Sequence, residues 1–159
     1  MQRLLESLRQ ALPELRFSEG KLFAWSPETG EVLYKAGQDN QRDRWALLHE
    51  TGHALLGHES YLTDLGLLKM EIAAWDKAQE LGRQFGIKIN EDHIQDCLDT
   101  YRDWLHARAL CPSCATRCLQ QDNGQDFRCH NCHTSWSVTS SRFCRPYRAV
   151  TSSVAAAAL

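Results

Sequence analysis

Apolar positions set the reading of this chain before any chemistry does. Leu4, Leu5, Leu8 and Leu12 recur at helical spacing among charged residues, and Pro13 ends the run, which predicts a first helix over residues 2–12. Three short extended stretches follow, at 15–18, 21–26 and 31–35. The turn signal Pro27-Glu-Thr-Gly30 predicts that the last two pair as a hairpin. A polar loop then offers Asp39, Asn40 or Asp43 as the cap of a second helix over 45–58, whose apolar surface is Leu47, Leu48, Ala54, Leu55 and Leu56. Helical periodicity resumes from about 65 to 81, with Leu68, Ile72, Trp75 and Ala78 as the stripe. A further helix over 91–109 is capped by Asn90 or Asp92 and carries Ile94, Leu98, Tyr101 and Leu105.

The pattern stops at Cys111-Pro112, and the charge balance reverses close by. Residues 1–106 carry 12 Lys/Arg against 18 Asp/Glu, whereas residues 107–159 carry 6 Arg against 2 Asp. An acidic front and a basic back point to different partners for the two parts. A domain over 1–109, a small module over 110–148 and a flexible tail over 149–159 are therefore expected. A chain of 159 residues has room for one modest core plus a module stabilised by something other than apolar burial. The amino-terminal stretch has no apolar secretion signal, and no apolar run reaches the ~18 residues that span a membrane. A cytoplasmic protein without membrane contact is the expectation.

Within the second helix, His49, Glu50 and His53 form a His-Glu-x-x-His arrangement. Residues four apart on a helix lie about 40° apart around its axis and ~6 Å along it, so two imidazoles can hold one metal ion while Glu50 serves as general base. A catalytic zinc needs a third protein ligand. His58 is one candidate, but it lies one residue short of the position that a third histidine takes in the metzincin pattern, and Leu56 stands where that pattern needs glycine. Glu71, on the helix that folds back, is the other candidate and the favoured one. An oxyanion donor is not singled out among Tyr61, His93, Tyr101 and His106.

The seven cysteines pair mainly as Cys-x-x-Cys, which in a chain without an export signal favours metal over disulfides. Cys111-Pro-Ser-Cys114 and Cys129-His-Asn-Cys132 enclose a 14-residue segment, a spacing that suits a structural zinc ribbon. The stretch 120–126, with Asn123-Gly124, reads as the hairpin between the two turns. Cys118, His130 and His133 are alternative ligands, and Cys144 has no assigned role. Two zinc ions per chain follow, one catalytic and one structural.

Leu48-His-Glu-Thr-Gly-His-Ala-Leu-Leu-Gly-His58 followed by Met70-Glu-Ile-Ala-Ala-Trp-Asp76 resembles the ImmA/IrrE-type metallopeptidases and the compact minigluzincins, over roughly residues 15–105. The resemblance implies an α+β zincin: an amino-terminal helix, a small sheet, the active-site helix, a glutamate helix and one further helix. It implies His49, His53 and Glu71 as zinc ligands, Glu50 as general base, and selective cleavage of an intracellular protein substrate. Trp75 stands where many gluzincins carry a supporting aspartate, and Asp76 lies one position further on. A helical metalloprotease core followed by a ribbon is similar to the SprT-like proteases, which act on DNA-bound proteins but use a third histidine as ligand. Arg108, Arg117, Arg128, Arg142, Arg145 and Arg148, interleaved with Phe127, Trp136, Phe143 and Tyr147, make nucleic acid an alternative partner. A latent protease inhibited by its carboxy-terminal part is a further alternative.

Overall fold

The structure is a computed structural model and describes residues 1–37, 39–139 and 148–152. It is α+β, with the order α1 (Gln2–Ala11), β1 (Arg16–Glu19), β2 (Ala24–Ser26), β3 (Glu31–Tyr34), α2 (Gln41–Leu55), α3 (Asp64–Gln84), α4 (Glu91–Ala109), β4 (Asp126–Arg128), β5 (Ser135–Val138) and β6 (Arg148–Ser152). No helix among the described residues is long and apolar enough to cross a membrane. The chain divides into two compact units, one formed by Met1–Ser60 with Lys69–Gln95, the other by Tyr61–Leu68 with the chain from Asp96 onward.

In the first unit, β2 and β3 form the expected hairpin, and Gly30 adopts φ 66° in the turn that joins them. β1 adds to β3 in parallel, which gives the strand order β1-β3-β2 and leaves β2 as an edge. Leu4, Leu5 and Leu8 of α1, Phe17 of β1, Val32 of β3 and Trp45, Leu47 and Leu48 of α2 supply its buried apolar side chains. Asn40 is the residue that caps α2: its side-chain oxygen accepts from the Asp43 amide at 2.9 Å. The Trp45 indole donates to the Lys88 carbonyl at 3.1 Å and ties α2 to the segment after α3.

The buried face of α3 differs from the expected stripe. Ile72 is exposed and Leu68 half-buried, whereas Glu71, Ala74, Trp75, Ala78 and Leu81 are buried. The inward face is thus turned by about one residue from the most apolar choice, and that turn carries a carboxylate into the interior.

In the second unit, β4, β5 and β6 form an antiparallel sheet in that order. Phe127 and Trp136 stack within it, ring centroids 5.4 Å apart and planes 9° apart, and Trp136 donates its indole proton to the Arg108 carbonyl at 3.0 Å. The bridge Gln120↔Phe127 and Gly124 at φ 73° close the expected hairpin between the cysteine pairs. Residues 149–152, expected at the start of a flexible tail, belong to β6, where Val150 pairs with Trp136. The rest of that tail, 153–159, lies outside the described residues, as do Arg142, Phe143, Cys144, Arg145 and Tyr147.

Candidate metal centres

The first site begins with the packing of α2 on α3. Gly52 faces Ala74 so closely that a Cβ there would stand 2.6 Å from the Ala74 carbonyl oxygen. Only glycine permits that approach without displacing one helix. Thr51, fully buried, donates its hydroxyl proton to the Leu47 carbonyl at 2.7 Å, so its own hydroxyl is satisfied at the contact.

The approach brings Glu71 of α3 against the two histidines of α2. Its Oε2 lies 3.2 Å from His49 Nε2 and 3.6 Å from His53 Nε2, and the two Nε2 atoms are 3.2 Å apart. His49 and Glu71 are buried and His53 is half-buried, and the three form a group able to hold a metal ion. Glu71 Oε2 has no hydrogen-bond partner of good geometry among the described residues. Burial pushes the Glu71 carboxyl up, but the imidazoles of His49 and His53 outweigh it and hold the group well below the usual carboxylate range. Three donor atoms thus converge while Glu71 Oε2 lacks a well-formed hydrogen bond among the described residues, an arrangement that a bound cation would satisfy.

Each histidine is oriented differently. His49 stacks on Trp75, ring centroids 4.2 Å apart and planes 25° apart, and its Nδ1 is buried with no hydrogen-bond partner among the described residues. Trp75 in turn meets His93 edge-on at 5.7 Å, and His93 packs against Trp45 at 4.8 Å. The Asp76 side chain is exposed and takes no part. His53 turns its Nδ1 toward Nδ1 of His58 at 2.9 Å. Burial and the neighbouring His53 hold His58 below the usual histidine range. His58 lies outside the three-donor group.

Glu50 points to the sheet. Its Oε2 accepts the backbone amide proton of Trp25 at 2.8 Å, and the Trp25 indole donates to the His58 carbonyl at 2.7 Å. Edge strand β2 therefore touches both the carboxylate and the end of α2 through one residue. Sequence alone singles out neither Trp25 nor Gly52. The tight packing behind Gly52 has no local signature beyond the glycine itself.

The second site is built from two equivalent turns. Cys111 donates its amide to the Thr116 carbonyl at 2.9 Å, and Cys129 does the same to Thr134 at 2.8 Å. The residue after each second cysteine is left-handed, Ala115 at φ 57° and His133 at φ 59°. The Thr116 hydroxyl lies 3.3 Å from Cys114 Sγ, and that of Thr134 lies 3.2 Å from Cys132 Sγ. The amides of Asn131 and Cys132 each reach Cys129 Sγ at 3.4 Å. Across the turns, Cys111 and Cys132 sulfurs are 3.6 Å apart and Cys114 and Cys129 sulfurs 3.5 Å apart, far beyond the ~2.05 Å of a disulfide.

All four sulfurs belong to one group able to hold a metal ion, with the ligand atoms within 4.8 Å of one another. Burial pushes the Cys111 thiol up to about 11, whereas the Thr116 hydroxyl and amide hold Cys114 down at about 5. His130 and His133 are exposed and outside the group, and Cys118 is buried beside it in the apolar cluster with Phe127 and Trp136. Arg108 is buried in an ion pair with Asp64 at 2.8 Å, and Phe127 and Trp136 are core residues, so none of the three is placed to meet a nucleic acid. No family model matches the chain, and comparison with curated proteins and with solved structures finds no match.

Proposed function

We propose that the chain is a zinc-dependent endopeptidase of the ImmA/IrrE and minigluzincin kind, with a structural zinc ribbon at its carboxy-terminal side. The observation that carries the reading is the convergence of His49 Nε2, His53 Nε2 and Glu71 Oε2, with Glu50 next to His49 in α2. Tetrahedral zinc with bonds of ~2.0–2.2 Å separates its ligand atoms by about 3.3–3.6 Å, the spacing found in this group. With Zn–S bonds of ~2.3 Å the sulfurs of a four-cysteine site stand about 3.8 Å apart, close to the 3.5 and 3.6 Å across the two turns.

His49, His53 and Glu71 would hold the zinc ion, which would supply an acidified water and a polarised peptide carbonyl. Glu50 would be the base that accepts a proton and returns it to the departing amine nitrogen. The Trp25 amide holds one of its two carboxylate oxygens, which orients the other for the proton. The open edge of β2 offers backbone groups to an extended protein substrate, and the ribbon serves recruitment of that substrate inside the cell.

The test is Glu50→Gln in the full chain. Cleavage of the protein substrate, found by comparing cleavage products in cells that carry either form, should fall by about 100-fold or more while both zinc ions stay bound. Unchanged cleavage by the Glu50→Gln protein would overturn the peptidase reading.

A further inference from the structure

We propose that His58 is a positioning residue of the first metal centre: its ring accepts the Nδ1 proton of His53 and so presents the His53 Nε2 lone pair to the metal. The proposal rests on the reading of His49, His53 and Glu71 as metal ligands.

A continuous helix would carry position 58 about 140° around the axis from position 53, away from it. The chain does not continue. Leu56 caps α2, Gly57 turns left-handed at φ 61°, the Gly57 amide donates to the Ala54 carbonyl at 3.1 Å and the His58 amide to the His53 carbonyl at 3.1 Å. This pair of bonds is the Schellman ending of a helix, and it folds the residue after the glycine back over the last turn. The His58 ring is thereby laid against that of His53, centroids 4.9 Å apart and planes 69° apart. The Trp25 indole on the His58 carbonyl pins the turn at 2.7 Å.

Two ring nitrogens at 2.9 Å need one proton between them, since two facing lone pairs repel. His53 uses Nε2 for the group formed with His49 and Glu71, so the proton belongs on its Nδ1, and His58 Nδ1 receives it. His58 then carries its own proton on Nε2. The role is particular to His53, because among the described residues His49 Nδ1 has no such partner and its ring is held by the Trp75 face instead. The helix ending itself depends on the backbone of His58, so exchanging the side chain leaves the Schellman bonds in place.

Zinc affinity of the full chain, measured by competition with a chromophoric chelator, tests the assignment. The site that disappears in His49→Ala marks the first centre, and the cysteine site serves as an internal control in every variant. His58→Ala and His58→Phe should weaken the first site by about 10- to 100-fold, whereas His58→Asn, whose Oδ1 can accept in place of Nδ1, should recover most of the loss. Wild-type affinity in His58→Phe would show that the ring merely packs, and complete loss of zinc in His58→Asn would make His58 a ligand. Either result overturns the proposal. If the three variants have no effect while His49→Ala removes one zinc, the proposal falls alone. If His49→Ala removes none, the metal reading falls and takes the proposal with it.

Discussion

A methyl group at position 52 has nowhere to go, because the Ala74 carbonyl oxygen would lie 2.6 Å from it. Gly52→Ala should therefore push α3 off α2, cost about 1–3 kcal/mol in denaturant unfolding and weaken zinc at the first site, since Glu71 rides on the helix that moves. A loss of stability with zinc affinity unchanged would separate packing from the site. The buried pair Arg108–Asp64 is sensitive in a different way. Arg108→Ala would leave the buried Asp64 carboxylate with the Gln120 side-chain amide as its partner among the described residues, and should destabilise the second unit by about 3–5 kcal/mol. His49, Glu50 and His53 are legible in the sequence because helical spacing alone sets them on one helix. Trp25 and Trp75 are not, since what they touch depends on tertiary contacts that no local pattern encodes.

Among elements, the helices and the first hairpin follow from periodicity and turn residues, and α4 has the bounds that its caps and stripe predict, whereas α2 runs Gln41–Leu55 and not 45–58, because Asn40 caps it earlier and Gly57 ends it. The face of α3 does not follow, because apolar content favours Ile72 while the interior takes Glu71. A buried carboxylate among histidines overrides the hydrophobic stripe once three donors share one place. The paired cysteine turns follow from spacing, but the left-handed Ala115 does not, because alanine does not favour that conformation, whereas histidine at 133 adopts it more readily. Cys111→Ser with Cys132→Ser should remove the metal of this group, abolish the β4–β5 order and leave the first site filled. Metal analysis together with amide NMR would check both halves of that expectation.

At the scale of the molecule, composition breaks at Cys111, whereas the compact units interleave along the sequence: the second unit includes Tyr61–Leu68 and α4 from Asp96 onward. The reason lies in contacts that a linear reading misses. Trp136 binds the Arg108 carbonyl, Arg108 stacks over Trp104 at 4.3 Å and pairs with Asp64, and the Asp64 amide donates to Gln120 at 2.7 Å. Stripping metal from the cysteine group should therefore loosen more than the turns themselves. Hydrogen exchange ought to quicken at 61–68 and in the last turns of α4, with 41–55 unaffected. Acceleration restricted to 111–134 would show that the small sheet titrates by itself.

The stacking of Trp75 on His49 has an optical consequence. An indole 4.2 Å from an imidazole of the first centre is a built-in reporter of what that imidazole binds. Copper(II) or cobalt(II) placed there should quench the Trp75 emission strongly, while the same ions confined to the cysteine group should not. Trp75→Phe should remove the largest part of the response and leave only the weaker quenching of more distant tryptophans such as Trp25. The occupancy of one centre can thus be followed by fluorescence in a chain that carries two candidate centres, without a label.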